Sequence, residues 1–229
     1  MKKILILAIT LLFASNVFAN EEKLIEQNTI NCRINNIGTK ILNANKIEKR
    51  VVFAYDKSAK IDVLKGTKNL TDRQVIVYEN AYKNIENDDE LAAYIAREIP
   101  AALRSYDGIA SGWLSSLKIK AAPKKYELVF DKFAIDYMVK AGYNPLAMIV
   151  SLNTIAPQKR YDWCSEHPLT TRRMAEIYEY IYNKYPQYLV QNEYKDNLIY
   201  QNFLLTSREN RAKLEQKIKN NSKRKVNYL

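Results

Sequence analysis

Apolar positions along this chain fall into patterns of different period. Ile4 to Phe13 form a short, nearly unbroken apolar run. From Glu21 to Asn45, Leu24, Ile25, Ile34, Ile37, Ile41 and Leu42 recur at helical spacing, which predicts one or two helices. Val51 to Tyr55 and Gln74 to Tyr78 are short, β-branched and bounded by turn residues, and they predict two strands joined through Gly66 and Asn69. A helix is predicted from Asp88, where Asp88, Asp89 and Glu90 suit the positive end of the helix dipole. Its apolar stripe is Leu91, Ala92, Ile95, Ile99 and Leu103. Ser105 to Pro123 is polar, with Trp113 and Leu117 placed to cover the core. Tyr126 to Ala141 is the clearest helical pattern, ended by Gly142 with Pro145 beyond it. A short helix follows over Leu146 to Ile155, and another runs from Pro168 through Ile181, with Pro186 breaking the pattern. The whole predicts an α+β, mainly helical domain with a small β-sheet beside a helical core.

The first apolar run changes the picture of where this domain works. Lys2 and Lys3 precede it, and Val17 and Ala19 place small or modest side chains at a cleavage position. The run is too short to cross a bilayer comfortably, which takes roughly 20 apolar residues. Residues 1–19 are therefore expected to be a signal peptide, the mature chain starting near Asn20, with an uncleaved anchor as the alternative. This predicts export, to a periplasmic or extracellular location. About 210 residues then remain, enough for one domain with a proper core. That domain is expected over 20–205, including a Tyr-rich helical C-terminal region, with 206–229 a basic, partly disordered tail that frays from Asn220 onward.

The net charge is +11, and +9 once Lys2 and Lys3 leave with the leader. Such a charge suits anionic envelope surfaces or simply a solvated basic surface; for an exported protein no nucleic-acid partner is expected. Cys32 and Cys164 are the only cysteines. In an oxidising compartment they can pair, or both can be buried free thiols. Tyr178, Tyr182 and Tyr185 fall on one helical face, expected against the core with hydroxyls at the water boundary.

Three ordered segments carry candidate chemistry. Glu90 to Leu103 reads ELAAYIAREIPAAL. Glu127-Leu128-Val129-Phe130-Asp131 runs on to Ala141-Gly142-Tyr143-Asn144-Pro145. His167-Pro168-Leu169-Thr170 is followed by Arg172 and Arg173. Together they resemble the zinc metallopeptidases of the HtpX and CAAX-prenyl-protease type, especially the soluble exported members, over roughly Asn31 to Ile181. The resemblance implies a zincin-like scaffold with a role in protein quality control, and peptide or unfolded envelope protein as the ligand class. In that family an HExxH helix supplies two His ligands and a catalytic Glu, and a later helix supplies a Glu as third ligand.

Here the motif is degenerate. Arg97 stands at the first His position and Ala101 at the second, while Glu98 keeps the catalytic position and Glu127 that of the third ligand. A guanidinium is always charged and ligates no metal, and an Ala side chain offers no donor. His167 is the chain's one histidine, so a two-His site cannot be rebuilt. Pro100 lies inside the former motif and removes a helix hydrogen bond, so the helix is expected to kink or restart there. The expectation is a pseudopeptidase that needs no cofactor and binds peptide or envelope protein. Arg97 would reach toward Glu127 and Asp131 in place of the metal, or else extend to solvent, and His167 and Arg173 would act in binding or structure. Two alternatives stay open: a peptidase with an altered zinc site built from Glu98, Glu127 and His167, and a basic structural protein that binds the envelope surface.

Overall fold

The computed structural model describes residues 24–57, 73–104, 123–156 and 170–228. The expected signal peptide, Trp113, Leu117, Cys164, His167 and the Pro168 helix start lie outside them. The chain is mainly helical with one small two-stranded sheet. Helix α1 covers residues 24–44 and buries Ile34, Ile37, Ile41 and Leu42. Strands β1 (Val52–Asp56) and β2 (Gln74–Tyr78) pair in parallel with Val52 opposite Gln74. Their alternating burial puts Phe53, Tyr55, Val75 and Val77 on the core face. Asn35 Nδ2 donates to the Phe53 carbonyl and the Tyr55 amide donates to Asn31 Oδ1, so α1 caps part of the open edge of β1. Gly38 lets this happen: a Cβ there would sit 2.6 Å from the Phe53 ring.

The short α2 (Glu79–Tyr82) leads into α3 (Asp88–Arg104). Asn87 caps α3 by accepting from the Glu90 amide, and Glu90 returns the favour by accepting from Asn87 Nδ2 and the Glu86 amide. Helix α3 runs on through Pro100 and does not restart there. The proline lacks the donor for Ala96, but Ile99, Ala101 and Ala102 on either side of it are buried, and that packing holds the last turn.

Helix α4 (Pro123–Lys140) packs along α3. It ends in a Schellman motif: Gly142 (φ +74) donates to the Val139 carbonyl and Tyr143 to that of Met138. Next come α5 (Ala147–Ile155), buried through most of its length, and α6 (Thr170–Lys184). The short α7 (Gln187–Val190), α8 (Leu198–Thr206) and α9 (Arg208–Lys219) complete the chain. Helix α5 lies between α3, α6 and α8, and α9 packs against α6 and α8.

Three further expectations differ from the structure. The segment after residue 206 begins as α9, and the chain returns so that Tyr228 is buried and donates to Glu179 Oε2 at 2.6 Å. A frayed tail was expected because the run is basic and polar; Tyr228 is the aromatic anchor that ties it down. Cys32 is exposed on α1 and is not a buried thiol. Of the three tyrosines, Tyr178 and Tyr185 pack partly buried against the core as expected, while Tyr182 is exposed; Tyr185 also donates to Asp136.

Candidate functional site

The residues singled out by the degenerate motif meet where α3, α4 and α6 pack. On α3, Arg97 and Glu98 face inward; on α4, Glu127 and Asp131 stand four residues apart and so share a face. Helix α6 supplies Arg173, which sits in the apolar stripe of Thr170, Met174, Ile177 and Ile181 and is 1% exposed. Its Nε donates to Asp131 Oδ2 at 2.8 Å and its Nη2 to Oδ1 at 2.6 Å, a two-pronged pairing. Its Nη1 lies 3.2 Å from Glu127 Oε2.

Arg97 plays the smaller part. Its Nε is 3.4 Å from Asp131 Oδ1, and its Nη1 is 3.9 Å from Glu98 Oε1. The Arg97 side chain is 10% exposed, so it does not extend to solvent. The cation expected from α3 beside Glu127 is thus supplied from α6 by Arg173. Ala101 is buried beside Phe130 and contributes no polar atom. His167 lies outside the described residues, as does Cys164, so neither a histidine in this cluster nor a Cys32–Cys164 bond is placed.

Five ionisable side chains, two cationic and three anionic, therefore share one interior region. Burial pushes the Glu98 carboxyl above its ordinary value; Arg97 and Arg173 pull it down, and Glu127 and Asp131 push it up further. Burial opposes the charge on Arg173, yet Asp131 and Glu127 outweigh it and hold the guanidinium above its usual value. Protonation of Glu98 would leave two cations against two anions. Nearby, burial also raises the Tyr94 hydroxyl, which donates to the Ile76 carbonyl at 3.3 Å.

Compared with family models, curated proteins and solved structures, the chain matches none of them. Its site must be read from its own geometry. Both Asp131 oxygens and one Glu127 oxygen are engaged by guanidinium groups, so a divalent cation entering here would meet two positive charges before it met a spare carboxylate. Among the described residues no cluster of three or more His, Cys, Asp or Glu has metal-holding geometry. Nor is any helix among them long and apolar enough to cross a membrane.

Two polar ties next to this cluster were not singled out from the sequence. Lys132 Nζ lies 3.3 Å from Glu176 Oε2, with Lys225 3.0 Å from Oε1. Asp136 accepts from Tyr180, Lys184 and Tyr185 at 2.8 to 3.0 Å. The signal for the central tie was present: an arginine inside an apolar helical stripe must find an anion, and Glu127 and Asp131 form a matching pair on α4.

Proposed function

We propose that this chain is an exported, non-catalytic member of a metallopeptidase-like type, which binds peptide or unfolded envelope protein and does not cut it. The observation that carries this reading is that Arg173 engages Glu127, the position the resemblance assigns to the third metal ligand, while both arginines engage Asp131 beside it. A peptidase of that type needs a Lewis acid to polarise the scissile carbonyl and a carboxylate base to activate water. Here Glu98 is buried next to Arg97 with its carboxyl raised by that burial, but neither Arg97 nor Ala101 offers a donor for the metal whose bound water such a base would deprotonate. On this reading the arginines stabilise the scaffold and no cofactor is required.

Two measurements test the proposal. Metal analysis of the mature protein purified without chelator, with casein and peptide cleavage assays, should give substoichiometric zinc and no cleavage. Stoichiometric zinc with chelator-sensitive cleavage would overturn it in favour of an altered zinc site. For export, the intact mass of protein recovered from expressing cells should correspond to a chain starting at Asn20; a full-length cytoplasmic product would remove the envelope from the proposal.

A further inference from the structure

A groove of 560 Å³ lies along the flank of α3 and α4. Pro100 and Leu103 line it from α3, and Phe130, Phe133 and Tyr137 from α4. Pro100 stands only about 60° around α3 from Arg97, and Phe130 about 60° around α4 from Glu127, whereas Leu103 and Phe133 are about 120° from them, so the groove borders the ion cluster and opens on its flank. Phe133 is 45% exposed and stacks on Tyr137 with ring centroids 6.3 Å apart. Val129 beside it is 37% exposed, which leaves an apolar strip open to water.

The turn after α1 forms the rim, with Lys46 and Lys49 flanking Glu48. This turn is fixed to the wall of the groove: Asn45 Nδ2 donates to the Ile41 carbonyl and to that of Tyr137. Its backbone repeats the Schellman motif at the end of α4. Lys46 donates to the Asn43 carbonyl and Ile47 to that of Leu42, as Gly142 and Tyr143 do with Val139 and Met138. Lys46 occupies the position that Gly142 holds there, and it does so at φ +53, in the left-handed region that favours glycine. A lysine thus stands at the mouth of an apolar groove in a backbone conformation that glycine would adopt with less strain.

We propose that this groove docks an extended peptide bearing a large apolar or aromatic side chain next to a carboxylate. The apolar side chain lies against Phe133 and Tyr137, and Lys46 and Lys49 meet the carboxylate. The inference rests on the reading of the chain as a peptide binder, and it locates the binding in the groove and not at the ion cluster.

The probe is a fluorescein-labelled peptide with Phe and Leu followed by two Asp residues, tested by fluorescence anisotropy on the mature protein. Controls replace Asp by Lys, or Phe and Leu by Ser. Binding should favour the acidic apolar peptide and weaken about tenfold in Phe133→Ser, whose exposed position keeps the fold intact. Lys46→Gly is the sharper variant. It should raise the melting temperature by relieving the left-handed lysine, and it should weaken binding, a split that a merely structural residue would not produce. Val190→Ser, on the exposed part of α7, should change neither.

Unchanged affinity in both groove variants would overturn the groove while leaving the binder reading in place. Absence of binding by any of the peptides would overturn the binder reading itself. Concentration-dependent self-association abolished by Phe133→Ser would also overturn the proposal, by making a second copy the occupant. Binding to lipid vesicles through Phe133 would do the same in favour of a membrane.

Discussion

Removing Arg173 is the most informative single perturbation of this fold. Arg173→Met keeps much of the volume and the apolar stem but leaves Asp131 and Glu127 without their main counter-charge. Breaking a buried pair from one side costs about 3–5 kcal/mol, because the remaining charge stays desolvated. Arg97 still lies 3.4 Å from Asp131 and offsets part of that loss, so we expect the lower end, about 3 kcal/mol. For a chain of this length that lowers the melting temperature by roughly 6–12 °C. Urea unfolding near neutral pH reads the loss directly. Replacing Glu127 and Asp131 by Leu in the same variant should bring stability back to within about 1 kcal/mol of wild type. A loss below about 1 kcal/mol, or no recovery in the triple variant, would refute the reasoning. Arg97→Ala, which removes only the 3.4 Å and 3.9 Å contacts, should cost about half as much as Arg173→Met in the same assay, and a larger loss would reverse the ranking of the two arginines.

Glu98→Gln should stabilise the protein near neutral pH, because the raised Glu98 disfavours the fold when ionised; the gain should shrink as pH falls through the raised value towards 4.5, read from melting temperature against pH. Gly38→Ala should destabilise by about 1–3 kcal/mol in urea unfolding, since the new methyl overlaps the Phe53 ring at 2.6 Å; no loss would mean that α1 and β1 move apart freely. Burial alone would raise Glu179, but hydrogen bonds from Lys217 and Tyr228 hold it below its ordinary value, so its contribution is complete above 4.5 and is lost as pH falls through the depressed value. Tyr228→Phe should therefore cost about 1 kcal/mol near neutral pH and nothing in strong acid, and it should speed proteolysis after Lys219.

Much of the architecture was legible because its signals are local. The β-branched runs gave β1 and β2 to within a residue, and the acidic first turn of α3 and Gly142 after α4 marked real helix ends. The parallel pairing of the strands carried no local signal, since it depends on what the chain does between them. Pro100 does not restart α3: its cost is intrinsic to the backbone, whereas the burial of Ile99 and Ala102 is a tertiary gain that sequence spacing does not display. In the site, the loss of donors at Arg97 and Ala101 could be read directly. The identity of the replacing cation could not: Arg173 lies 42 residues from Asp131 in sequence, and choosing it over Arg97 requires the distance between helices. The groove was hidden for a related reason. Phe130, Phe133 and Tyr137 recur at the spacing of a core-facing stripe, and only the fold shows that Phe133 is left open.

The ion cluster also explains how the groove keeps its shape. An apolar core at the same place could be as stable, so stability alone does not account for two arginines and three carboxylates in the interior. Register does. From its N-terminal to its C-terminal end, α4 presents Glu127 and Asp131, then Lys132, then Asp136. Helix α6 meets them in the same order with Arg173, Glu176, and Tyr180 with Lys184. The two helices therefore run side by side in one direction, tied at three successive levels. A slip of one turn, 5.4 Å, would break all three ties together and leave at least two carboxylates buried without partners. Leu-on-Ile packing would resist such a slip far less, because one aliphatic contact replaces another. Arg97 extends the same constraint to α3 through Asp131, so the α3–α4 pair that forms the walls of the groove is fixed in register from behind. A groove held open by rigid helices loses little freedom when a peptide enters, which is what a site that binds through a few side chains requires.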